Sequence, residues 1–265
     1  MNLLIIGAGK MATALGGGIA KHCKDRFTQI TACDPNEHAR AAFTQTTGLP
    51  CVESATAELV AAADLIILAV KPQVAAAACE ALPPRKAGVI VLSICAGIAI
   101  AKLKGWLQTE RIIRVMPNTP LLVGCGASCF ALSDSNDAEC REIAETILSS
   151  AGSVWQVAED QLDAVTALSG SGPAYFFAFI EALRDGGVKL GLSAELSQEL
   201  AIRTMQGACQ MLLSDCGTPA QLREAVTSKG GTTAAALDVM AKRDFAGLVA
   251  ELMHAASARS KELGK

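Results

Sequence analysis

The chain opens with an apolar run, residues 2–6, that leads directly into the glycine pattern Gly7-x-Gly9-x-x-Ala12. The run is too short for a helix and indicates a buried strand, and residues 11–20 are then predicted to form a helix with little charge. Glycines between a strand and a helix let backbone N–H groups approach a pyrophosphate at the helix N terminus, where the peptide dipoles favour negative charge. The pattern therefore predicts a dinucleotide-binding strand–turn–helix unit.

The residues that follow support this interpretation. An alternating segment, residues 29–33, predicts a second strand, and it ends at Asp34. An acidic residue about 20 positions beyond such glycines commonly binds the ribose of the adenosine half. The alternative is a glycine-rich turn at a helix start without any ligand, and three linked features make it the weaker interpretation.

Strands and helices continue to alternate after Asp34. Short apolar runs predict three further strands with helices between them: strands at residues 64–70, 88–94 and 111–115, and helices at residues 57–63 and 73–81. Such alternation indicates a parallel sheet with right-handed crossovers. Because ligands of these sheets bind outside the carboxyl ends of the strands, three loops are expected to matter: residues 69–72, 93–97 and 116–120.

The character of the sequence changes near residue 160. From Asp163 onward no strand is predicted, and five helices are separated by Gly, Pro or Ser: residues 164–189, 193–213, 218–226, 232–242 and 245–263. We therefore predict an α/β fold in two domains, a Rossmann-like, mainly parallel sheet at residues 1–160 and an all-helical domain at residues 161–265. The helical part is too apolar for an isolated bundle of its length, so a second copy is expected to cover part of it.

Composition narrows the function classes. A formal net charge of −3 and a pI near 5.7 leave no basic face for nucleic acid. The first apolar run has no Lys or Arg before it and is too short for a signal peptide or a membrane span, so a cytoplasmic location is expected. The ten cysteines form no C-x-x-C pair, which predicts buried reduced thiols. No metal site is predicted, because none of the histidines stands at zinc spacing from a cysteine: His22, His38 and His254.

Two glycine clusters interrupt the helical half, at residues 168–175 and 227–233. Ser, Thr and Gly at a helix N terminus supply free backbone N–H groups and hydroxyls, which can hold a carboxylate. Ordinary capping by Ser228 or Thr232 would explain one such cluster without a ligand. Two clusters in one domain favour a binding role.

Six segments, taken in order, point to a known family: residues 7–12, 69–73, 93–98, 114–120, 167–175 and 226–233. The chain resembles pyrroline-5-carboxylate reductases over nearly its whole length, and the last segment is the most specific. The resemblance implies reduction of the cyclic imine 1-pyrroline-5-carboxylate to L-proline by hydride from NADPH or NADH, the last step of proline biosynthesis. Since an imine nitrogen can arrive already protonated, the absence of an obvious His, Lys or Tyr acid fits this reaction.

The resemblance also assigns roles to residues. The pyrophosphate loop comprises Gly7, Ala8, Gly9, Lys10, Met11 and Ala12, followed on the adenosine side by Asp34 and Asn36. Further cofactor neighbours are Ala69, Val70, Lys71 and Pro72, and near the nicotinamide Ala96, Gly97 and Asn118. The implied substrate residues are Glu159, Ser171, Gly231, Thr232 and Thr233, of which Thr233 is the catalytic candidate as the hydrogen-bond partner of the ring nitrogen. Glu159 has an equal alternative as a solvated loop carboxylate, and the part Thr233 plays in proton transfer stays open.

Asp34 leaves the choice of cofactor open. An acid at this place repels a 2′-phosphate and bonds a free 2′-hydroxyl, which favours NADH. The same loop offers Asn36, His38 and Arg40, and the family commonly accepts NADPH, so NADP(H) is placed slightly ahead with NAD(H) retained. If Asp34 governs the choice, Asp34→Ser should shift the preference towards NADPH by about tenfold or more. At the position of Thr56 relatives often have an asparagine near the adenosine side, and at the position of Ala225 some have a polar residue that contacts the substrate. Neither contact is predicted for this chain.

Two other classes of protein are alternatives. A β-hydroxyacid dehydrogenase would need Lys and Asn at Phe176 and Ile180, where this chain has apolar residues. A non-catalytic dinucleotide sensor remains the second alternative. The resemblance implies a homodimer formed through the helical domain, which can assemble into a larger ring, while the sequence determines neither the ring size nor any regulation by proline.

Overall fold

The computed structural model describes residues 1–264, and they form two compact units. The first unit comprises Met1–Ser171 together with the C-terminal residues from Ala255, and the second comprises Gly172–His254. The first unit holds every strand, and the last strand ends at Gln156. A domain boundary after residue 160 stays a prediction.

The first unit contains one eight-stranded sheet with the order β3-β2-β1-β4-β5-β6-β7-β8. The six strands from β1 to β6 are parallel, β7 runs antiparallel to β6, and β8 is parallel to β7. The predicted mainly parallel sheet is confirmed. The strands are β1 Asn2–Ile6, β2 Gln29–Cys33, β3 Cys51–Val52, β4 Leu65–Leu68, β5 Ile90–Ser93, β6 Ile112–Met116, β7 Gly126–Leu132 and β8 Gly152–Gln156.

Helices cover both faces of this sheet, which is why its central strands are continuous apolar runs. Along β1 the side chains alternate, so that Leu3 and Ile5 enter one core and Leu4 and Ile6 the other. The first core is closed by α1 Lys10–His22, α2 Glu37–Thr47 and α6 Ala138–Ser149. The second core is closed by α3 Ala57–Ala62, α4 Pro72–Glu80, α5 Ile100–Leu107 and the short α7 Leu162–Val165.

The predicted first helix of the helical half is interrupted. After α7 the chain forms a wide π-helical turn at Thr166–Gly170, in which the Ser171 N–H donates to the Thr166 carbonyl at 2.8 Å. Pro173 has no N–H to continue an α-helical ladder, but it fits the first turn of a new helix. The remaining predicted helices are confirmed. The helices that follow are α8 Gly172–Lys189, α9 Ala194–Leu213, α10 Pro219–Ala225, α11 Thr232–Lys242 and α12 Phe245–Leu263.

Large apolar side chains are exposed along the helices of the second unit. They include Phe176 and Phe177, which are 59% and 62% exposed, and leucines on α8, α9 and α12. Apolar exposure on this scale is unusual for a monomer and typical of an interaction surface. Within residues 1–264, none of the helices combines the length and apolarity that crossing a membrane requires.

All ten cysteines are free thiols. Cys33, Cys79, Cys95 and Cys140 are buried as expected, but Cys125, Cys209 and Cys216 are exposed. The expectation of general burial is wrong for these three, because they lie on loops or on an outer helix face rather than in a strand.

Arg111 and Asp137 connect the start of β6 to the start of α6. The Nε and Nη2 atoms of Arg111 each donate to the Asp137 carboxylate at 2.8 Å. The same carboxylate accepts the Cys140 N–H at 3.0 Å and thereby caps α6. The guanidinium of Arg111 holds the pKa of Asp137 well below its ordinary value.

We expect Asp137→Asn to lower the free energy of unfolding by about 1–3 kcal/mol near neutral pH, because it keeps a side chain that can cap α6 but removes the charge of a bidentate ion pair with Arg111. The pKa of Asp137 is lower in the folded than in the unfolded chain, so its stabilisation is present above the unfolded value of about 3.9 and is lost as the pH falls further. Urea unfolding curves recorded from about pH 7 down to about pH 3 should therefore converge for wild type and variant.

The matched control for this prediction is Glu110→Gln. Glu110 pairs with Lys104, but its side chain is 84% exposed, and exposed pairs contribute little to stability. Equal losses in the two variants, or a difference for Asp137→Asn that does not shrink in acid, would contradict the account.

Candidate functional site

Gly7 sets the geometry of the turn that follows β1. Its φ of +100° is a left-handed conformation, and a Cβ at this position would lie 2.6 Å from the Ala69 carbonyl oxygen. The Gly7 N–H donates to the Cys33 carbonyl at 2.8 Å. The turn therefore passes between the ends of β2 and β4, where the strand order reverses and open α/β sheets bind ligands.

Gly9 is the N-cap residue of α1, and this helix start faces open space. No atom lies within 4 Å of a Cβ built on Gly9, and no side chain caps the helix. The first backbone bond within the helix runs from the Thr13 N–H to the Gly9 carbonyl. The preceding amides of the first turn, at residues 10–12, are thus available to an anion, while the buried Ala12 packs into the core.

The open space in front of Gly9 belongs to a cleft of about 670 Å³, a size usual for a small-molecule site. Six of the predicted cofactor residues line it: Gly7, Gly9, Asp34, Ala69, Val70 and Lys71. Cys33 lies beside them, and its thiol stays neutral because burial raises its pKa to about 11.

One face of α4 forms a wall of the cleft that the sequence analysis missed. Val74, Ala77, Ala78 and Ala81 are spaced at helical intervals and all line the cleft, whereas Ala75 and Cys79 face the core. Glu53, Ser54 and Ala55 add a further edge after β3. The alanine-rich run after Lys71 could have indicated this wall in the sequence, because small residues on a helix leave room for a flat ring.

Asp34 connects two loops that border the cleft. One carboxylate oxygen, Oδ2, accepts the Ala8 N–H at 2.8 Å, and the other, Oδ1, accepts the Asn36 N–H at 2.8 Å. The Asn36 side chain caps α2 by accepting the Ala39 N–H at 3.0 Å. Arg40 donates from Nη1 to the carbonyls of Asp34 and Pro35, both at 2.9 Å.

Cys95 ties the loop after β4 to the loop after β5. Its Sγ donates to the Val70 carbonyl at 3.2 Å, and its N–H donates to Ser93 Oγ at 3.3 Å. Burial raises the pKa of this thiol, so it remains a neutral donor. Pro72 occupies the first turn of α4, directly after its N-cap residue Lys71.

Ala96, Gly97 and Asn118 are not among the residues that line the cleft. Gly97 has φ +77°, and a Cβ there would lie 3.2 Å from the backbone of Leu263 at the end of α12. Asn118 Oδ1 accepts the Ala127 N–H at 2.9 Å, and its Nδ2 donates to Ser169 Oγ at 3.2 Å. The Asn118 amide thus joins the loop after β6 to β7 and to the π-helical turn.

Glu159 is neither isolated nor simply solvated. Its Oε1 accepts the Ile100 N–H at the start of α5 at 2.7 Å and the Nη1 donor of the buried Arg114 at 3.0 Å. Removing this carboxylate would leave a buried guanidinium without its charge partner. The structure therefore gives Glu159 a supporting role, and contact with a substrate stays a prediction.

Gly231, Thr232 and Thr233 lie together at the start of α11 in the second unit. Gly231 is the N-cap residue, and no side chain caps this helix. The first bond within α11 runs from the Ala235 N–H to the Gly231 carbonyl, so the amides of residues 232–234 are free to bind a carboxylate. Ser171 belongs to the first unit, where its N–H completes the π-helical turn.

A second concavity of about 620 Å³ lies between the ends of α1 and α6. Its lining residues are His22, Cys23, Asp25, Arg26, Thr146, Ser149 and Ser150. Both helices end here, so their partial charge is negative and disfavours a phosphate. Among residues 1–264, no group of three or more His, Cys, Asp or Glu side chains could hold a metal ion.

Comparisons with known proteins agree with this geometry. A family model described as "Pyrroline-5-carboxylate reductase dimerisation" matches residues 159–263. A second model, described as "NADP oxidoreductase coenzyme F420-dependent", matches residues 2–97. The two matches together cover the glycine turn, the loops at residues 69–72 and 93–97, and the helical half.

Relatives that match over nearly their whole length carry the same family name. The pyrroline-5-carboxylate reductase of Pseudomonas aeruginosa is 43% identical, over 99% of this chain and 97% of its own. The enzyme of the same name from Pisum sativum is 38% identical, over 97% of this chain and 94% of its own. The solved structure of Plasmodium falciparum pyrroline carboxylate reductase with NADP bound superimposes with a TM-score of 0.87 and 33% identity, covering 100% of this chain and 98% of that one.

Three glycine-to-alanine variants separate the roles of the turn. Gly9→Ala should fold normally, because its backbone is extended and its Cβ meets nothing, yet it should weaken NADPH binding by about tenfold or more by filling the space an anion needs. Gly7→Ala should lower both stability and binding, since its Cβ would clash with the Ala69 carbonyl. Melting temperature and cofactor fluorescence titration measure the two effects.

Gly17→Ala is the control, because it lies on the same helix with nothing within 4 Å of the added Cβ. It should bind NADPH like wild type and gain up to about 1 kcal/mol from helix propensity. Unchanged binding by Gly9→Ala would show that the anion site lies elsewhere.

Proposed function

Because this chain belongs to the pyrroline-5-carboxylate reductase family, we propose a role for each part of its site in the reaction. The chain is an NAD(P)H-dependent oxidoreductase that reduces the C=N bond of 1-pyrroline-5-carboxylate to give L-proline. This reaction is the last step of proline biosynthesis. The observation that carries the assignment of roles is the uncapped start of α1, which opens into the cleft beside Gly9.

The residues of the cleft fit a dinucleotide. The amides of residues 10–12 hold the pyrophosphate, and the small side chains of α4 make room for the adenine. The ribose lies towards Asp34 and Asn36. Lys71, Ala96, Gly97 and Asn118 support the nicotinamide side, and the bound cofactor supplies the hydride. Since Asn118 has both amide ends engaged by protein groups, it acts by holding its loop in place.

The start of α11 binds the substrate carboxylate. Three free amides and the helix dipole favour an anion there, and the glycine at position 231 leaves room for the Ser228 hydroxyl, which an added Cβ would displace. The Thr233 hydroxyl hydrogen-bonds the ring nitrogen and orients the imine carbon. As a hydroxyl is a weak acid and the imine can arrive protonated, we assign Thr233 a positioning hydrogen bond. Ser171 and Glu159 stabilise neighbouring loops on the substrate side.

The protein acts as a homodimer, and dimers of this kind can assemble into a larger ring. The family model for the helical half describes dimerisation, and the exposed Phe176 and Phe177 supply apolar surface for it. The ten free thiols fit a reducing compartment, which supports a cytoplasmic location.

The reaction is tested by adding 1-pyrroline-5-carboxylate to the protein with NADPH or NADH and following the loss of reduced-cofactor absorbance. Wild type should turn over. Thr233→Val should lower kcat/KM for the imine by about tenfold or more, while the Kd for NADPH stays within about twofold. Thr233→Ser keeps the hydroxyl and should retain most of the activity. A folded protein that binds NADPH but shows no turnover would refute the reductase function.

The homodimer is tested by light scattering at micromolar concentration. Wild type should give the mass of a dimer or a multiple of it, and Phe177→Glu should shift the mass towards the monomer because it buries a charge in the interface. Val123→Glu is the control: Val123 is 77% exposed but lies in the first unit. A monomeric wild type, or equal effects of the two substitutions, would contradict the proposal.

A further inference from the structure

Both carboxylate oxygens of Asp34 accept hydrogen bonds from backbone N–H groups. One oxygen accepts the N–H of Ala8 and the other the N–H of Asn36, each at 2.8 Å. These bonds connect the glycine turn after β1 to the loop between β2 and α2. Charge-assisted bonds of this kind are short and strong, so the carboxylate fixes the relative position of two loops that line the cofactor cleft.

Arg40 lies directly behind the same loop. Its Nη1 is anchored by the carbonyls of Asp34 and Pro35 at 2.9 Å, and Pro35 itself lines the cleft. The side chain is half-buried, so its anchored end has little freedom. A guanidinium has five N–H donors. In the part of the chain that the structure describes, the only hydrogen bonds of the Arg40 guanidinium are these two from Nη1.

The carboxylates near this end of the cleft make a neighbouring cation such as Arg40 necessary for binding NADPH and unnecessary for binding NADH. Asp34 and Glu53 line the cleft, and Glu37 lies next to the loop. The lysine that lines the cleft, Lys71, follows β4, which is on the other side of β1 from β2 and Asp34. A 2′-phosphate brought to these carboxylates is repelled unless a cation offsets them. A free 2′-hydroxyl needs no such cation.

We propose that Arg40 is the specificity-determining residue that binds the 2′-phosphate of NADPH, and that Asp34 is a positioning residue that holds the two loops together. The inference rests on the proposed function, because it assumes that the cleft binds the reduced dinucleotide. Arg40 binds the phosphate through the planar edge left by its two carbonyl anchors. Asp34 therefore contributes equally to both cofactors instead of excluding one.

The roles proposed for Arg40 and Asp34 predict different effects on the affinities for NADPH and NADH. Arg40→Gln removes the charge and keeps the length of the side chain, so the Kd for NADPH should rise by about tenfold or more while the Kd for NADH stays within about twofold. The Kd of wild type for NADPH should also rise with ionic strength more steeply than that for NADH, and Arg40→Gln should abolish this difference. Arg40→Lys keeps the charge without the planar fork and should lose an intermediate factor.

Asp34→Ser should raise the KM for NADPH and for NADH by the same factor and leave kcat within about twofold. This result is the reverse of the shift towards NADPH expected if the carboxylate itself excluded the phosphate. Arg26→Gln serves as a charge-matched control, because Arg26 pairs with Glu142 at the other end of α1. It should leave both Kd values unchanged.

The measurement is a fluorescence titration of each variant with NADPH and NADH, together with its melting temperature. Equal weakening of both cofactors in Arg40→Gln, or a shift of about tenfold towards NADPH in Asp34→Ser, would overturn this inference and leave the reductase function intact. A wild type that binds neither cofactor would overturn the proposed function itself. If Arg40→Gln does not fold, the same comparison is made with Arg40→Lys, for which equal weakening is likewise the contrary result.

Discussion

The close approach of Gly7 to the Ala69 carbonyl fixes where the cofactor cleft forms. β1 lies between β2 and β4, and the chain can leave β1 in this direction only with a residue that lacks a Cβ and accepts a positive φ. The same turn aims the start of α1 into open space at Gly9. A helix N terminus that faces a cleft with no side-chain cap is then the anion site on which the rest of the cofactor geometry depends.

Around this turn, several polar side chains hold loops in place through hydrogen bonds to distant groups. Asp34 bonds the glycine turn, Cys95 bonds the loop after β4, and Asn118 bonds the π-helical turn. Glu159 does the same for the start of α5. The glycine turn and one face of α4 thus line the cleft with backbone and small side chains, and Asp34, Glu53 and Lys71 line it as charged groups. This arrangement suits a cofactor that supplies the reactive group itself.

The parallel sheet and the cofactor loops could be predicted because the strands are buried on both faces and leave long apolar runs, and because Gly7 has a distinctive neighbourhood in sequence. The unit formed by β7, α6 and β8 was not predicted, since β7 contains Gly126 and Ser128 and β8 is an exposed edge strand. Roles at Asp34 and Asn118 could not be read from the sequence, because their hydrogen-bond partners are distant backbone groups.

Hydrogen exchange of the protein with and without NADPH tests most directly whether the cofactor binds at this turn. The account predicts that NADPH slows amide exchange at residues 9–12 and 69–71 and leaves exchange around the concavity between His22 and Ser150 unchanged. That concavity is similar in volume, about 620 Å³ against about 670 Å³, but is framed by helix C termini. Protection there, with none at residues 9–12, would contradict the central claim.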